Sequence, residues 1–479
     1  MKILYYNWIQ FDKKNNFGGG VNVYQKNLIE EMIKDEKNEI YFLSSGIYYN
    51  LFKKKSYIKE TKNIYGEKCR TFKIYNSTIT APAKIMAKDI ENYLSDIKCY
   101  DLLKDFIEQY GQFDVIHFNN IEGLSLNCLK LKKQFPNTKF IYSIHNYFPF
   151  CPQVNLFFDE KENCIDYNCG NKCVQCTRNF PNKKESILYY KLDTLIEKLN
   201  MQKQSEKIKI MLKRIKAKVI KKKEKSKQPG KEMNNNLFVE FRKQNVEALN
   251  ENFDAILAVS NRVRDIAIKM GVDENLVQTN YIGTKFANNA LGHKNHKVTS
   301  DSINLIYLGY FDKIKGFDFL IDSLEKITDE YAKKINFYCY ARIKSESDKQ
   351  KAQRVNSLKD KFLNVHYFNG YTHDELPEIL SKADLGVIPV IWEDNLPQVA
   401  IELVASGVPI LTSNLGGAHE LFSDNDFVFE ANNYDDFVLK LKNIIDNKNK
   451  LNEFFENTNK LTTMDEHINK IKSYYKQGI

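Results

Sequence analysis

Short apolar or β-branched runs recur along the chain, separated by longer stretches with helical periodicity. The first set is Lys2–Trp8, Glu39–Ser44, Phe113–Phe118 (FDVIHF), Lys139–Ile144 (KFIYSI) and Asp254–Val259 (DAILAV). A loop ending in Gly18-Gly19-Gly20 follows the first run, then a helical pattern with Val23, Leu28 and Met32 on one side. The alternation restarts with Ile303–Leu308, Lys334–Tyr340, Val365–Phe368, Leu385–Val390 and Ile410–Thr412. Strands alternating with helices at this spacing predict βαβ units and parallel sheets. The restart predicts two α/β domains, residues 1–286 and 303–460, joined by the aperiodic, polar stretch 287–302. A final segment, 461–479, has a helical pattern over Asp465–Tyr475. The cleft between the domains is the default ligand site.

A length of 479 residues fits this count, since one domain takes roughly 150. The longest purely apolar run is Leu385–Trp392, far short of the roughly twenty residues that a spanning helix needs. The start of the chain lacks the apolar core of a secretory signal, so a cytoplasmic protein is expected.

The net charge of +10 is localised. Lys183–Lys231 holds 17 Lys or Arg against 5 Asp or Glu, a local +12, and leaves −2 for the rest. Such a distribution describes an attachment arm on a near-neutral body, not a cationic working surface, and no nucleic-acid partner is expected. Within the insert 183–236, Leu188, Leu192, Leu195 and Leu199, then Ile208, Met211, Leu212, Ile215 and Val219, mark basic amphipathic helices. Three readings stand for them: a helical hairpin packed on its parent domain, an anchor on an anionic membrane through residues 183–231, and a nucleic-acid arm. The tail Lys221–Asn236 reads as unstructured.

Five of the nine cysteines, Cys151, Cys164, Cys169, Cys173 and Cys176, fall within the loop 151–176. In a reducing compartment four of them could form a structural zinc site; a redox pair and packed thiols are the alternatives.

The segment Trp392–Pro409, WEDNLPQVAIELVASGVP, carries its own helix signals. Asn395 can cap, Pro397 suits the first turn, Gly407 suits a left-handed terminus, and Pro409 ends the helix. The backbone N–H groups of Leu396 and Gln398 would then face a phosphate, with Asp394 at the helix mouth and Glu402 in its body. Read from spacing alone, an ordinary helix with a solvent-facing glutamate accounts for the segment equally well.

This segment resembles the Glu-(seven residues)-Glu signature of glycosyltransferase family 4, with Asp394 and Glu402 as the two acids and LVASGVP after them. Glu393 is an alternative for the first acid. The resemblance implies a GT-B fold, two Rossmann-like doubly wound domains facing across a cleft. It implies a retaining hexosyltransferase that uses a UDP- or GDP-sugar donor and a glycan or lipid-linked acceptor, with no cofactor for catalysis. The donor would lie mainly on the second domain and the acceptor on the first, and the final helix would cross back to the first domain. Gly19 and Gly20 stand where the family's Gly-rich loop approaches the donor. In GYFDKIKG, Lys315 matches a phosphate-binding lysine, Tyr310 replaces the family's arginine, and Lys313 can supply the second charge. His145, directly after the strand KFIYSI, matches a histidine beside the sugar, and Tyr371 stands near the base. Gly416, Gly417 and Glu420 read as architectural, and His117 as structural. Bacterial surface polysaccharide assembly at the inner membrane face is the expected setting. A GT-B epimerase or phosphorylase, and a zinc-containing RNA-binding protein, are the alternative functions.

Overall fold

A computed structural model describes residues 1–11, 19–164, 166, 170, 172–198, 235–288 and 301–476. The first domain contains β1 (Lys2–Tyr6), β2 (Glu39–Tyr48), β3 (Tyr57–Thr61), β4 (Cys69–Tyr75), β5 (Val115–Phe118) and β6 (Lys139–Ile144). A small hairpin, β7 (Phe157–Phe158) and β8 (Glu162–Asn163), precedes β9 (Ala255–Ala258) and β10 (Val277–Thr279). Hairpin aside, these strands form one sheet in the order β10-β9-β6-β5-β1-β2-β4-β3. All its pairings are parallel except that of β3 with β4. The second domain holds β11 (Ile303–Gly309), β12 (Ile335–Ala341), β13 (Asn364–Phe368), β14 (Leu385–Ile388), β15 (Ile410–Ser413) and β16 (Val428–Phe429). They form an all-parallel sheet in the order β13-β12-β11-β14-β15-β16.

The helices that matter below are α1 (Gly19–Met32), α2 (Lys98–Tyr110), α3 (Lys183–Lys198), α4 (Asn235–Asn252) and α5 (Asn261–Lys269). The second half adds α6 (Phe317–Lys326), α7 (Gln398–Ala405) and α8 (Met464–Lys476).

Strand side chains alternate between the two faces of the first sheet, and both faces are covered. Ile3, Tyr5, Phe42, Ile141 and Leu257 share one buried cluster with Leu28 and Ile29 of α1 and Met464, Ile471 and Tyr475 of α8. Leu4, Tyr6, Leu43, Phe118 and Tyr142 belong to another, with Phe106 of α2 and Phe241 of α4. The C-terminal helix is therefore part of the first domain's core. Met464, Ile468, Ile471 and Tyr475 are all buried, at about 2 kcal/mol each for a large apolar side chain. Tyr475 Oη also meets His117 Nδ1, whose Nε2 meets Ser143 Oγ, so His117 is spent inside the core. Where the chain crosses between domains, Thr284 and Thr463 pair in a parallel bridge. A Cβ on Gly283 would lie 2.6 Å from that of His467, so the two crossing segments are in tight contact.

The edge pair β3 and β4, absent from the strands expected above, mixes charged and apolar residues (YIKET, CRTFKIY) and so shows no continuous apolar run. Asn235 and Asn236 open α4 and so are not part of an unstructured tail; residues 199–234 lie outside the described set. The described part of the basic insert, α3, docks on its parent domain: Tyr190 Oη donates to the Ala81 carbonyl at 2.8 Å, and Lys183 reaches Asp89. The second basic pattern, Ile208–Val219, lies outside the described residues, as do Gly18 and 289–300 of the linker.

Candidate active site

Among the parallel strands of each sheet the order reverses direction once, between β5 and β1 in the first domain and between β11 and β14 in the second. Open α/β sheets bind ligands outside the carboxyl ends of the strands at such a point. The loops after β11 and β14 carry most of the residues expected at the donor site.

The loop after β11 is pinned by Gly316, which has φ +73° and whose Cβ would fall 1.5 Å from the Pro389 carbonyl oxygen. Only glycine lets the two loops touch there. The touch places Lys315 Nζ 2.6 Å from Asp394 Oδ2 and 5.3 Å from the Trp392 ring centroid. Asp394 is 6% exposed, and Lys315 is its charge partner at the rim of the cleft. Gly416, at φ +71°, closes the loop from the other side, its would-be Cβ 2.1 Å from the Asp394 carbonyl oxygen. The Gly417 N–H donates to that carbonyl at 2.9 Å.

Helix α7 starts at Gln398 with Pro397 at its cap position, two residues later than a cap at Asn395 requires. Leu396 thus precedes the helix, and the free first-turn donors are those of Gln398 and Val399, since the Ala400 N–H bonds the Pro397 carbonyl. Asn395 caps nothing: its carbonyl accepts from Ser260 Oγ of the first domain at 2.7 Å. Gly407 at φ +73° ends the helix in the left-handed conformation.

Glu402 does not face solvent. It is 1% exposed, its Oε1 has no hydrogen-bond partner among the described residues, and burial pushes its carboxyl up to about 8. His373 Nδ1 stands 3.8 Å from Glu402 Oε1, too far for a hydrogen bond. Tyr371 lies close enough for the Glu402 charge to raise its phenol, after the larger effect of its own burial. A buried carboxyl oxygen without a partner is costly to keep, and acids so perturbed cluster at functional sites.

Other expected residues are engaged elsewhere. Glu393 is bound to Arg262 of the first domain and accepts the Gly416 N–H at 3.1 Å, so it holds the domains together and is no substitute for Asp394. Glu420 accepts the backbone N–H groups of Asn261 and Arg262 and the Tyr281 hydroxyl, clasping the start of α5. Lys313 Nζ donates to the Glu160 carbonyl at 2.7 Å, away from Asp394. Tyr310 is 47% exposed, with Lys344 Nζ 4.0 Å from its ring centroid.

Across the cleft, Gly19 starts α1 at φ +56°, and a Cβ on Gly20 would lie 3.5 Å from Gln398 Oε1. The Gly-rich loop and the start of α7 therefore face each other directly. His145, at the end of β6, packs on Tyr24 with ring centroids 4.6 Å apart, and its Nε2 is 3.3 Å from Asn119 Oδ1. Burial, with a smaller effect from His467, lowers its imidazole to about 3. It is neutral at pH 7 and offers hydrogen bonds, not charge.

The Cys-rich loop also reaches the second domain, through Lys313 and through Asn163 Nδ2 to the Ile391 carbonyl at 3.3 Å. Cys151 and Cys173 are buried, Cys164 and Cys176 partly so, and Cys169 lies outside the described residues. Cys173 Sγ stands 3.7 Å from Arg242 Nη2. Among the described residues no three His, Cys, Asp or Glu side chains are arranged to hold a metal ion.

Sequence reasoning missed the residues behind the first domain's strand ends: Asn7, Asn119, Asn120, Glu122 and Asn146. Their signal is asparagine within two residues of the end of an apolar strand, repeated at β1, β5 and β6.

With this geometry in hand, residues 291–461 match the family model described as glycosyl transferases group 1. Among curated proteins, the chain is 26% identical over 176 residues to an uncharacterized 41.2 kDa protein in the cps region of Klebsiella pneumoniae. That match spans 36% of this chain and 46% of the relative, less than half its length. Among solved structures, the chain is similar to a sucrose-phosphate synthase from Thermosynechococcus elongatus, with TM-score 0.59 and 14% identity over 99% of this chain and 98% of that one. It is similar also to HepE of Anabaena in complex with UDP and glucose, with TM-score 0.58 and 12% identity over the full length of both. These likenesses establish the fold as GT-B: two Rossmann-like domains facing across a cleft.

Proposed function

We propose that the chain is a retaining glycosyltransferase that moves a hexose from a nucleotide-sugar donor to a glycan or lipid-linked acceptor. The observation that carries it is the contact of Lys315 with Asp394 at the second sheet's reversal point, beside the helix that buries Glu402 with an unpaired Oε1 among the described residues. In the reaction, the bond from the anomeric carbon to phosphate oxygen breaks and a bond to the acceptor oxygen forms. The acceptor proton leaves with the nucleoside diphosphate. Lys315 and the first N–H groups of α7 stabilise the charge on the departing diphosphate. Asp394, oriented by Lys315, accepts sugar hydroxyls, Glu402 accepts the ribose hydroxyls, and neutral His145 donates a hydrogen bond beside the anomeric centre. Tyr371 lies beside the base.

Thermal shift with UDP-glucose, UDP-galactose and GDP-mannose tests this reading, because a ligand of the folded state raises the midpoint. A rise with one nucleotide class, lost in Glu402→Ala, is the expected result. UDP-glucose comes first, since a similar structure holds UDP and glucose. A folded protein that no donor stabilises overturns the proposal.

The setting we propose is bacterial surface polysaccharide assembly on a lipid-linked acceptor at the cytoplasmic membrane face. The relative from a cps region supports it, as do the basic insert and the exposed Leu188 and Tyr189 on α3. Among the described residues no helix is long and apolar enough to cross a membrane, so attachment would be peripheral. In vesicle flotation, anionic vesicles should carry the full chain and release a chain lacking residues 199–231; equal flotation removes the anchor.

A further inference from the structure

The loop of residues 49–56 follows β2, which runs parallel to β1, β5 and β6, so it leaves the first sheet at the end that carries His145. Residues 51–55 are all exposed, and Phe52, at 86%, is more exposed than any other large apolar side chain among the described residues. A lone apolar side chain at a surface is ordinary, but this one is held out by a built turn. Asn50 Oδ1 accepts the Phe52 and Lys53 N–H groups at 2.9 and 3.3 Å, and the Asn50 N–H donates to Asn76 Oδ1 at 2.8 Å. Asn76 Nδ2 donates in turn to the Lys53 and Lys55 carbonyls at 2.9 and 3.1 Å. Both asparagines are buried, so the backbone is fixed in a form that leaves the Phe52 ring in water.

Nor does the tip stand alone. Tyr49 stacks on Tyr190 of α3, with ring centroids 6.1 Å apart and planes 8° from parallel. Leu51 and Phe52 follow the first of these rings; Leu188 and Tyr189, also exposed, precede the second. Two apolar pairs from distant parts of the chain therefore flank one stack. Lys53, Lys54 and Lys55 rim the tip, Lys184 is exposed on α3, and no Asp or Glu occurs from residue 40 to residue 59. An apolar tip inside a collar of lysines complements an anionic lipid bilayer, where the rings enter the acyl boundary and the ammonium groups stay among the phosphates. The shape agrees with this partner, because a fluid surface yields to a protruding ring without a cavity cut to fit it.

We propose that Leu51 and Phe52 insert into an anionic bilayer beside Leu188 and Tyr189, with Lys53, Lys54 and Lys55 on its headgroups. This contact is separate from the basic insert; it rests on the membrane setting proposed above and not on the transferase reading. Stable attachment takes two signals, and the tip supplies the apolar one. The bilayer then lies at the cleft end of the first domain, where a lipid-borne ligand enters without leaving it.

Cosedimentation of the full chain with vesicles of equal parts phosphatidylglycerol and phosphatidylcholine tests the tip. Phe52→Ala should weaken the partition about tenfold to a hundredfold, the scale of one large apolar side chain, and Phe52→Glu should weaken it further. Lys54→Ala and Lys55→Ala should each cost about fivefold. Since Phe52 is exposed, Phe52→Ala should melt with the parent and keep its response to nucleotide sugars. Insertion is read separately: Phe52→Trp should be quenched by vesicles of bromine-labelled lipid beyond the level of the parent, whose Trp8 and Trp392 are half-buried. Equal binding by the parent and both Phe52 variants, or a Phe52→Trp chain quenched no more than the parent, overturns the proposal and leaves attachment to the basic insert. A parent that binds no anionic vesicle overturns both, while the donor reading is judged by the thermal shift alone.

Discussion

Glu402→Gln is expected to be more stable than the parent protein at pH 9 and about equally stable near pH 4. The folded carboxyl titrates at about 8 because burial disfavours its charge, whereas in the unfolded chain it has the ordinary value of 4.5. Between those values the folded state holds a proton that the unfolded state has released. Its contribution to stability is therefore complete below the unfolded value, falls as pH rises, and is exhausted above the folded one. At about 1.4 kcal/mol per pH unit the difference approaches 5 kcal/mol, an upper bound that structural relaxation will reduce. Urea unfolding of both proteins across pH 5 to 9 reads it directly, as a parent curve that declines where the variant stays level. Parallel curves would mean that the buried charge has a counter-ion. The same proton governs ligand binding. Ribose hydroxyls donate to the ionised carboxylate, so UDP affinity should climb from pH 6 toward 8 by up to about tenfold per unit, and stay flat in Glu402→Gln.

Lys315→Ala should lower kcat by about 10² to 10³, the loss found when one preorganised donor to a developing anion is removed. The effect falls on turnover more than on donor affinity, because the diphosphate carries its full charge only as it departs. Two controls separate chemistry from folding. Circular dichroism and the melting midpoint show whether Asp394, left without its partner, unsettles the loop. Lys315→Arg keeps the charge but presents a planar fork in place of a point donor, so it should recover part of the rate and not all of it. A variant with normal kcat and weakened donor binding would reassign Lys315 from the transition state to ground-state binding.

Much of the scaffold was legible from apolar runs because parallel strands buried on both faces are continuously hydrophobic. KFIYSI is β6 as expected, and the runs at Ile303 and Ile410 match β11 and β15 within a residue. Helix α7 shows where local signals stop. Asn395 reads as a cap from its neighbours alone, yet its carbonyl is taken by Ser260, 135 residues earlier in the chain. Glu393 and Asp394 are adjacent acids in one loop; what separates them is Arg262, brought from the first domain onto Glu393, while Asp394 pairs with Lys315. The burial of Glu402 was hidden for the same reason, since one turn of helix cannot reveal what packs over it. The strand-end asparagines of the first domain were missed because they are scattered through the sequence and come to one edge only when β1, β5 and β6 line up.

The bridge between Thr284 and Thr463 constrains how such a molecule can move. At the two crossings, residues 283 and 284 lie side by side with 463–467. Side-chain grips such as Arg262 on Glu393 and Glu420 on α5 can let go; the covalent chain cannot. On the proposed function, opening the cleft to admit a donor is therefore a rotation about that knot, small beside it and large at the opposite lip, a jaw with one joint.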